Sequence, residues 1–114
     1  MLIATWNVNS IRTRLSQIID WMNQVNPDIL CLQETKVMDD IFPIEPFEKL
    51  GYSAEFYGQK SYNGVAIISK IKAENVKKGF YGCTDSDQNI ELFLDQKRLI
   101  SADINGIKIT HKTN

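Results

Sequence analysis

The sequence predicts an α/β chain with a mixed sheet, parallel at its start and hairpin-connected later. Two observations predict it. An apolar run, an amphipathic helical stretch and a second apolar run follow one another at the start, and the remainder breaks into short apolar segments separated by turn formers.

Leu2 to Trp6 is a short apolar run that ends at Asn7-Val8-Asn9-Ser10, a cluster of turn and cap formers, as expected for a strand feeding a helix with Ser10 as its N-cap. From Ile11 the apolar residues Leu15, Ile18, Ile19, Met22 and Val25 recur at helical spacing. Asn26-Pro27-Asp28 stops the pattern, because proline cannot continue a helix. Ile29 to Leu32 is too short for a helix and apolar at every position, the pattern of a strand covered on both faces. Beyond a loop with Pro43 and Pro46, the sequence predicts a helical piece near Phe47 to Leu50. Strand candidates follow at Ser53 to Tyr57, Val65 to Ser69, Glu74 to Phe80, Ile90 to Leu94, Arg98 to Ile104 and Ile107 to Ile109. Gly58 to Gly64 carries turn chemistry, and Asn105-Gly106 is a two-residue hairpin signal. Trp6, Trp21 and the apolar helix stripe are read as core.

At 114 residues, with 43% hydrophobic and 24% charged residues, the composition is that of one ordinary globular unit. No repeat, low-complexity tract or Gly/Ser linker divides it. The 13 Lys and Arg against 14 Asp and Glu leave a formal charge of -1, which excludes a protein that holds nucleic acid through its overall field. Nucleic-acid contact then depends on local placement. Cys31 lies in an apolar run and Cys83 in a polar one; both are read as free thiols rather than a disulfide framework. The N-terminus lacks the basic start and apolar core of a signal peptide, and no apolar run reaches membrane-spanning length. The expected address is the cytoplasm, with no membrane partner.

A right-handed crossover lays the first two strands parallel, so Asn7 and Asn9 after the first, and Gln33-Glu34 after the second, end at one sheet edge. Ligands of open α/β sheets bind at that edge, and hard divalent cations such as magnesium take oxygen from carboxylates and amide carbonyls. Glu34 with Asn7 or Asn9 suits part of such a site. The plainer alternative is that Asn7, Asn9 and Ser10 only cap the helix and Glu34 opens a loop, and spacing alone favours it.

Longer strings shift that balance. Thr5-Trp6-Asn7-Val8-Asn9-Ser10-Ile11-Arg12 and Ile29-Leu30-Cys31-Leu32-Gln33-Glu34-Thr35-Lys36 together resemble the exonuclease III and apurinic endonuclease family. The likeness continues through Asp39-Asp40, Phe42-Pro43, Leu50-Gly51-Tyr52 and Tyr57 to Ile67, fades after Gly79-Phe80, and returns weakly around Arg98. The resemblance implies a metal-ligand role for Glu34, with Asn7 and Asn9 in the motif that helps hold metal and phosphate. Asn7 and Glu34 are thus the candidate catalytic residues. It further implies magnesium, with manganese as an alternative, and DNA contacts from Arg12, Lys36, Gln59, Lys60, Tyr62 and Arg98. The implied substrate is double-stranded DNA with abasic sites or 3′ ends, cleaved by metal-activated attack of water on phosphate.

The resemblance also implies a four-layer α/β sandwich, of which residues 1–114 supply the N-terminal half, ending before the second sheet. The family's Asn-x-Tyr-x-Pro motif, its Asp-x-Asn motif and its terminal Asp-His pair have no counterpart after Ile109; the ending Thr110-His111-Lys112-Thr113-Asn114 reads as a divergent polar tail with a solvated His111. An exposed apolar sheet face, open to self-association, is the structural expectation. Three functional readings follow: a DNA-repair phosphodiesterase by family, with little turnover by this chain alone; a non-catalytic fragment that binds DNA or a partner weakly; and a phosphatase of small phosphate esters. The Gln33-Glu34-Thr35-Lys36 and Tyr62-Asn63-Gly64-Val65 strings argue against the last.

Overall fold

The computed structural model describes residues 1–79 and 97–113. Its elements are β1 (Ile3–Asn7), α1 (Ile11–Val25), β2 (Ile29–Gln33), a 3-10 turn (Asp39–Ile41), α2 (Glu45–Lys49), β3 (Ser53–Tyr57), β4 (Val65–Ser69), β5 (Glu74–Lys78), β6 (Leu99–Ile104) and β7 (Ile107–Lys112). The strand expected at Ile90 to Leu94, Phe80 at the end of another, and Cys83 lie outside the described residues.

Helix α1 begins where the Ser10 hydroxyl accepts the Thr13 N–H at 3.4 Å. It ends where Asn26, in the left-handed region at φ 55°, donates its N–H to the Met22 carbonyl at 2.8 Å. Pro27 follows and blocks another turn. Between these ends, Ile11, Ile18 and Met22 form the buried stripe that holds α1 against the sheet.

The first sheet has the order β1-β2-β4-β3. β1 and β2 are parallel, in register from Ile3 opposite Ile29 to Asn7 opposite Gln33, while β4 runs antiparallel to both β2 and β3. Alternation along β2 and β4 sends Leu30, Leu32, Ala66 and Ile68 toward α1, where Phe47 of α2 and Tyr52 complete the core. The Tyr52 hydroxyl donates to the Pro27 carbonyl at 2.6 Å and ties the α2 region to the end of α1. Trp6 and Trp21 meet edge to face at 5.9 Å on the flank of this core.

The opposite face carries Ile29, Cys31, Val65 and Ile67, and here two expectations are corrected. The chain does not stop before the second sheet: β5, β6 and β7 form a three-stranded antiparallel sheet of their own. Nor is the first sheet's second face bare, because Ile100, Ala102 and Ile104 of β6 bury it. Strands not hydrogen-bonded to the first sheet therefore pack on it as a separate layer. What stays open lies at the β1 edge, where Ile3 is 47% exposed.

The β6–β7 hairpin turns on Asn105 (φ 52°) and Gly106 (φ 79°), the two positive angles a tight hairpin of this hand requires. β7 runs on to Lys112, so the residues read as a polar tail are a strand, and His111 is buried at 7% exposure rather than solvated. The inward parity of Ile109, partly buried against the core beneath β6, continues to His111 and Thr113, which explains why both are buried.

Candidate active site

The ends of β1 and β2, the starts of β4 and β6 and the end of β7 meet at one edge of the molecule. Backbone bonds draw them together: Val8 N–H donates to Gln33 O at 3.0 Å, Gly64 N–H to Lys97 O at 3.1 Å, and Thr113 N–H to Arg98 O at 2.9 Å. The segment 34–36 after β2 also satisfies the start of α1, since Ser10 N–H donates to Glu34 O at 2.8 Å and Ile11 N–H to Thr35 O at 3.0 Å. These donors have no partner within the helix, so the capping task is shared with this segment. The side chains of Asn7 and Asn9 are left for other work.

They use that freedom on Glu34 and Lys36. The Asn7 side-chain amide donates to Glu34 Oε2, and Asn7 Oδ1 accepts the Asn9 N–H at 3.2 Å. Lys36 Nζ donates to Asn9 Oδ1 at 2.6 Å and lies 3.6 Å from Glu34 Oε1. Four candidate residues from two strand ends thus form one connected polar group, and a carboxylate oxygen and an amide oxygen already gather a cation there. The backbone is held in the left-handed region at Asn9 (φ 47°), Glu34 (φ 55°) and Lys36 (φ 56°). Such conformations cost non-glycine residues on the order of 1 kcal/mol or more each and cluster where surrounding structure fixes a functional geometry.

The packing that fixes it is visible between Glu34 and Lys36. Thr35 is buried, its N–H donates to Gly64 O at 3.2 Å, and Lys36 N–H donates to Asn63 O at 2.9 Å. Gly64, at φ 95°, leaves room for Thr35. The loop before β4 is therefore docked on the segment that carries Glu34.

The remaining DNA-contact candidates are placed around this edge rather than in it. Arg12 is exposed on the first turn of α1. Gln59, Lys60 and Tyr62 lie in the loop between β3 and β4; Gln59 Oε1 accepts from the Asn63 amide at 3.4 Å, and Tyr62 is 69% exposed. Arg98 immediately precedes β6, and its Nε is buried without a hydrogen-bond partner.

Three residues escaped the sequence reading as site residues: Gln33, Lys112 and Thr113. With Asn7 and Glu34 they line a pocket of about 190 Å3. Gln33 donates to the Thr5 hydroxyl at 2.8 Å across the parallel pair. The parity of β7 was the available signal for Thr113; no local sequence feature marked Lys112. Among the described residues, no group of three or more His, Cys, Asp or Glu converges on one point.

Comparison with known proteins matches the chain to a family. Residues 4–102 match the Endonuclease/Exonuclease/phosphatase family. The chain is 36% identical to exodeoxyribonuclease III of Haemophilus influenzae over 104 residues, which cover 91% of this chain and 36% of the relative. Among solved structures, an AP endonuclease from Archaeoglobus fulgidus superposes with a TM-score of 0.85 at 44% identity, covering 99% of this chain and 41% of that one. A 3′-5′ exonuclease (NExo) from Neisseria meningitidis gives a TM-score of 0.84 at 37% identity, covering 96% of this chain and 40% of that one. The chain thus spans well under half the length of these relatives. By motif, fold and extended identity it belongs to the endonuclease/exonuclease/phosphatase family, in the branch of exonuclease III and the apurinic endonucleases.

Proposed function

We propose that residues 1–114 are part of an exodeoxyribonuclease III-type phosphodiesterase domain that acts on double-stranded DNA at abasic sites and 3′ ends. The single observation that carries this reading is the Asn7–Glu34–Lys36–Asn9 group at the strand ends, present in a chain related to named AP endonucleases and exonucleases.

The donor set fits a magnesium ion, with manganese as the alternative. It consists of a carboxylate and side-chain amide oxygens, which suit a hard cation, and two of them, Glu34 Oε1 and Asn9 Oδ1, already face the Lys36 ammonium. Glu34, with Asn7 and Asn9, would hold the ion. Held by these residues, such an ion would supply Lewis-acid stabilisation of the charge that develops in phosphodiester cleavage. The protein's own part is positional. Asn7 orients the Glu34 carboxylate, and Lys36 supplies a positive charge beside it for a phosphate. Arg12, Gln59, Lys60, Tyr62 and Arg98 offer hydrogen bonds, charge and an aromatic face to the DNA backbone around the edge.

A second reading, a chain that binds but does not turn over, is favoured by the single carboxylate among the residues lining the pocket. With one acidic ligand and no histidine at the pocket, the 114-residue chain is expected to cleave DNA little or not at all by itself. Both readings are tested with a labelled duplex bearing one abasic-site analogue, incubated with the chain, with its Glu34→Ala variant and with an intact family member carrying the same substitution. Loss of magnesium-dependent cleavage in the intact Glu34→Ala protein is expected. Cleavage there that is indifferent to both the substitution and a chelator sinks the role of Glu34.

A further inference from the structure

The pocket at the strand ends holds one residue that a metal site does not explain. Asn7, Gln33, Glu34 and Thr113 offer oxygens, but the fifth lining residue is Lys112. It is the last residue of β7 and exposed. The ion pairs among the described residues engage Lys36, Lys49, Lys70 and Lys108, and none engages Lys112. Glu34, the carboxylate of this pocket, is already held by Asn7 and Lys36.

A second cation, Lys36, lies at this edge 3.6 Å from Glu34 Oε1. The β6–β7 register sets Lys112 opposite Leu99, and the adjoining Thr113 N–H donates to Arg98 O at 2.9 Å. Lys36, paired with Glu34, and Lys112 therefore outnumber the one carboxylate of the pocket, and the local charge favours an anion although the whole chain carries -1.

We propose that Lys112 makes this pocket a phosphate-binding subsite that works without a divalent cation, its ammonium taking a phosphate oxygen of a DNA strand from the β7 side. The inference rests on the reading of this edge as a DNA-cleaving site and deepens it by naming the group that holds the phosphate there. Lys112 acts as a binding residue, and its contribution persists when metal is removed.

The test is fluorescence anisotropy of a labelled hairpin duplex in chelating buffer over a salt series, with the hairpin ending in either a 3′-hydroxyl or a 3′-phosphate. Lys112→Gln is expected to weaken binding severalfold and to lower the slope of log affinity against log salt by about one, the signature of one lost phosphate contact. Lys112→Arg keeps the charge and is expected to restore binding. Lys49→Gln, on an exposed residue of α2 paired with Glu45 at 3.3 Å, is expected to change nothing. An effect on both hairpins supports contact with an internal phosphodiester; an effect confined to the phosphorylated one supports a terminal phosphate monoester. An unchanged slope in Lys112→Gln overturns the inference while leaving the role of Glu34 in metal-dependent cleavage standing. Failure of the wild-type chain to bind either hairpin at low salt overturns the inference too, and the metal-dependent cleavage assay then decides the wider reading independently.

Discussion

The imidazole of His111 on the second sheet reaches the main chain of the first, with Nε2 2.9 Å from the Leu32 carbonyl oxygen. A carbonyl only accepts, so Nε2 carries the proton and donates it. The bond joins the central strand of one sheet to the edge strand of the other close to the candidate site, and it does so between buried groups.

That burial sets a pH dependence. Desolvation holds the His111 pKa below its ordinary 6.5, opposed by the Leu32 carbonyl, which pulls it up. The unfolded chain then takes the proton first as pH falls, so it binds more protons than the native state and stability rises with pH through this window. The contribution is complete above the unfolded value near 6.5 and is lost as pH falls through the lower folded value. Urea midpoints measured from pH 7.5 down to 5 should fall for the wild type and fall less steeply for His111→Gln, which has no titrating ring. Parallel slopes for the two proteins would rule out His111 as the source.

A different contact governs the segment that carries Glu34. A Cβ built on Gly64 would lie 2.1 Å from Thr35 Oγ1, at a φ of 95° that disfavours any side chain. At Gly106 the φ is 79° but nothing lies within 4 Å. The two glycines separate crowding from backbone preference. Gly106→Ala should cost about 1 kcal/mol from its left-handed φ alone. Gly64→Ala should cost a further 1–3 kcal/mol or so for overpacking. Thr35→Ala in the Gly64→Ala background should recover part of that loss, because it removes the atom met first. Equal losses at the two glycines in chemical denaturation would refute the steric account.

Much of this fold was legible because local and long-range preferences agree. The stripe of Ile11, Ile18 and Met22 between Ser10 and Pro27 describes α1, and the unbroken apolar runs Ile29–Leu32 and Val65–Ile68 describe strands buried on both faces. Asn105-Gly106 gives the hairpin turn for the same reason. The division into two sheets was not legible, because Ile100, Ala102 and Ile104 show the same period-two alternation whether they extend one sheet or cover another. His111 looks solvated because its neighbours are polar, unless the inward parity of Ile109 is carried forward along the strand. At the candidate site, Asn7, Asn9, Glu34 and Lys36 are marked by the motif strings, whereas Lys112 is placed there only by the pairing of β7 with β6.

Cys31 provides a probe of whether the two sheets stay closed. It lies on the face of β2 covered by β6, at 5% exposure, and burial pushes its thiol pKa up to about 11. The thiolate is the reactive form, so at pH 8 only about a thousandth of the folded molecules carry it, on top of the steric shielding. In a Cys83→Ser background, Cys31 should therefore react with a disulfide reagent far more slowly than a free thiol, and the rate should climb with urea in step with loss of secondary structure. Labelling that is fast in buffer, or that rises well before the helix signal is lost, would show that β5, β6 and β7 lift away from the first sheet as a unit. In that event the edge uniting Glu34 with Lys112 is made and broken by sheet docking, since Glu34 directly follows β2 of the first sheet and Lys112 ends β7 of the second.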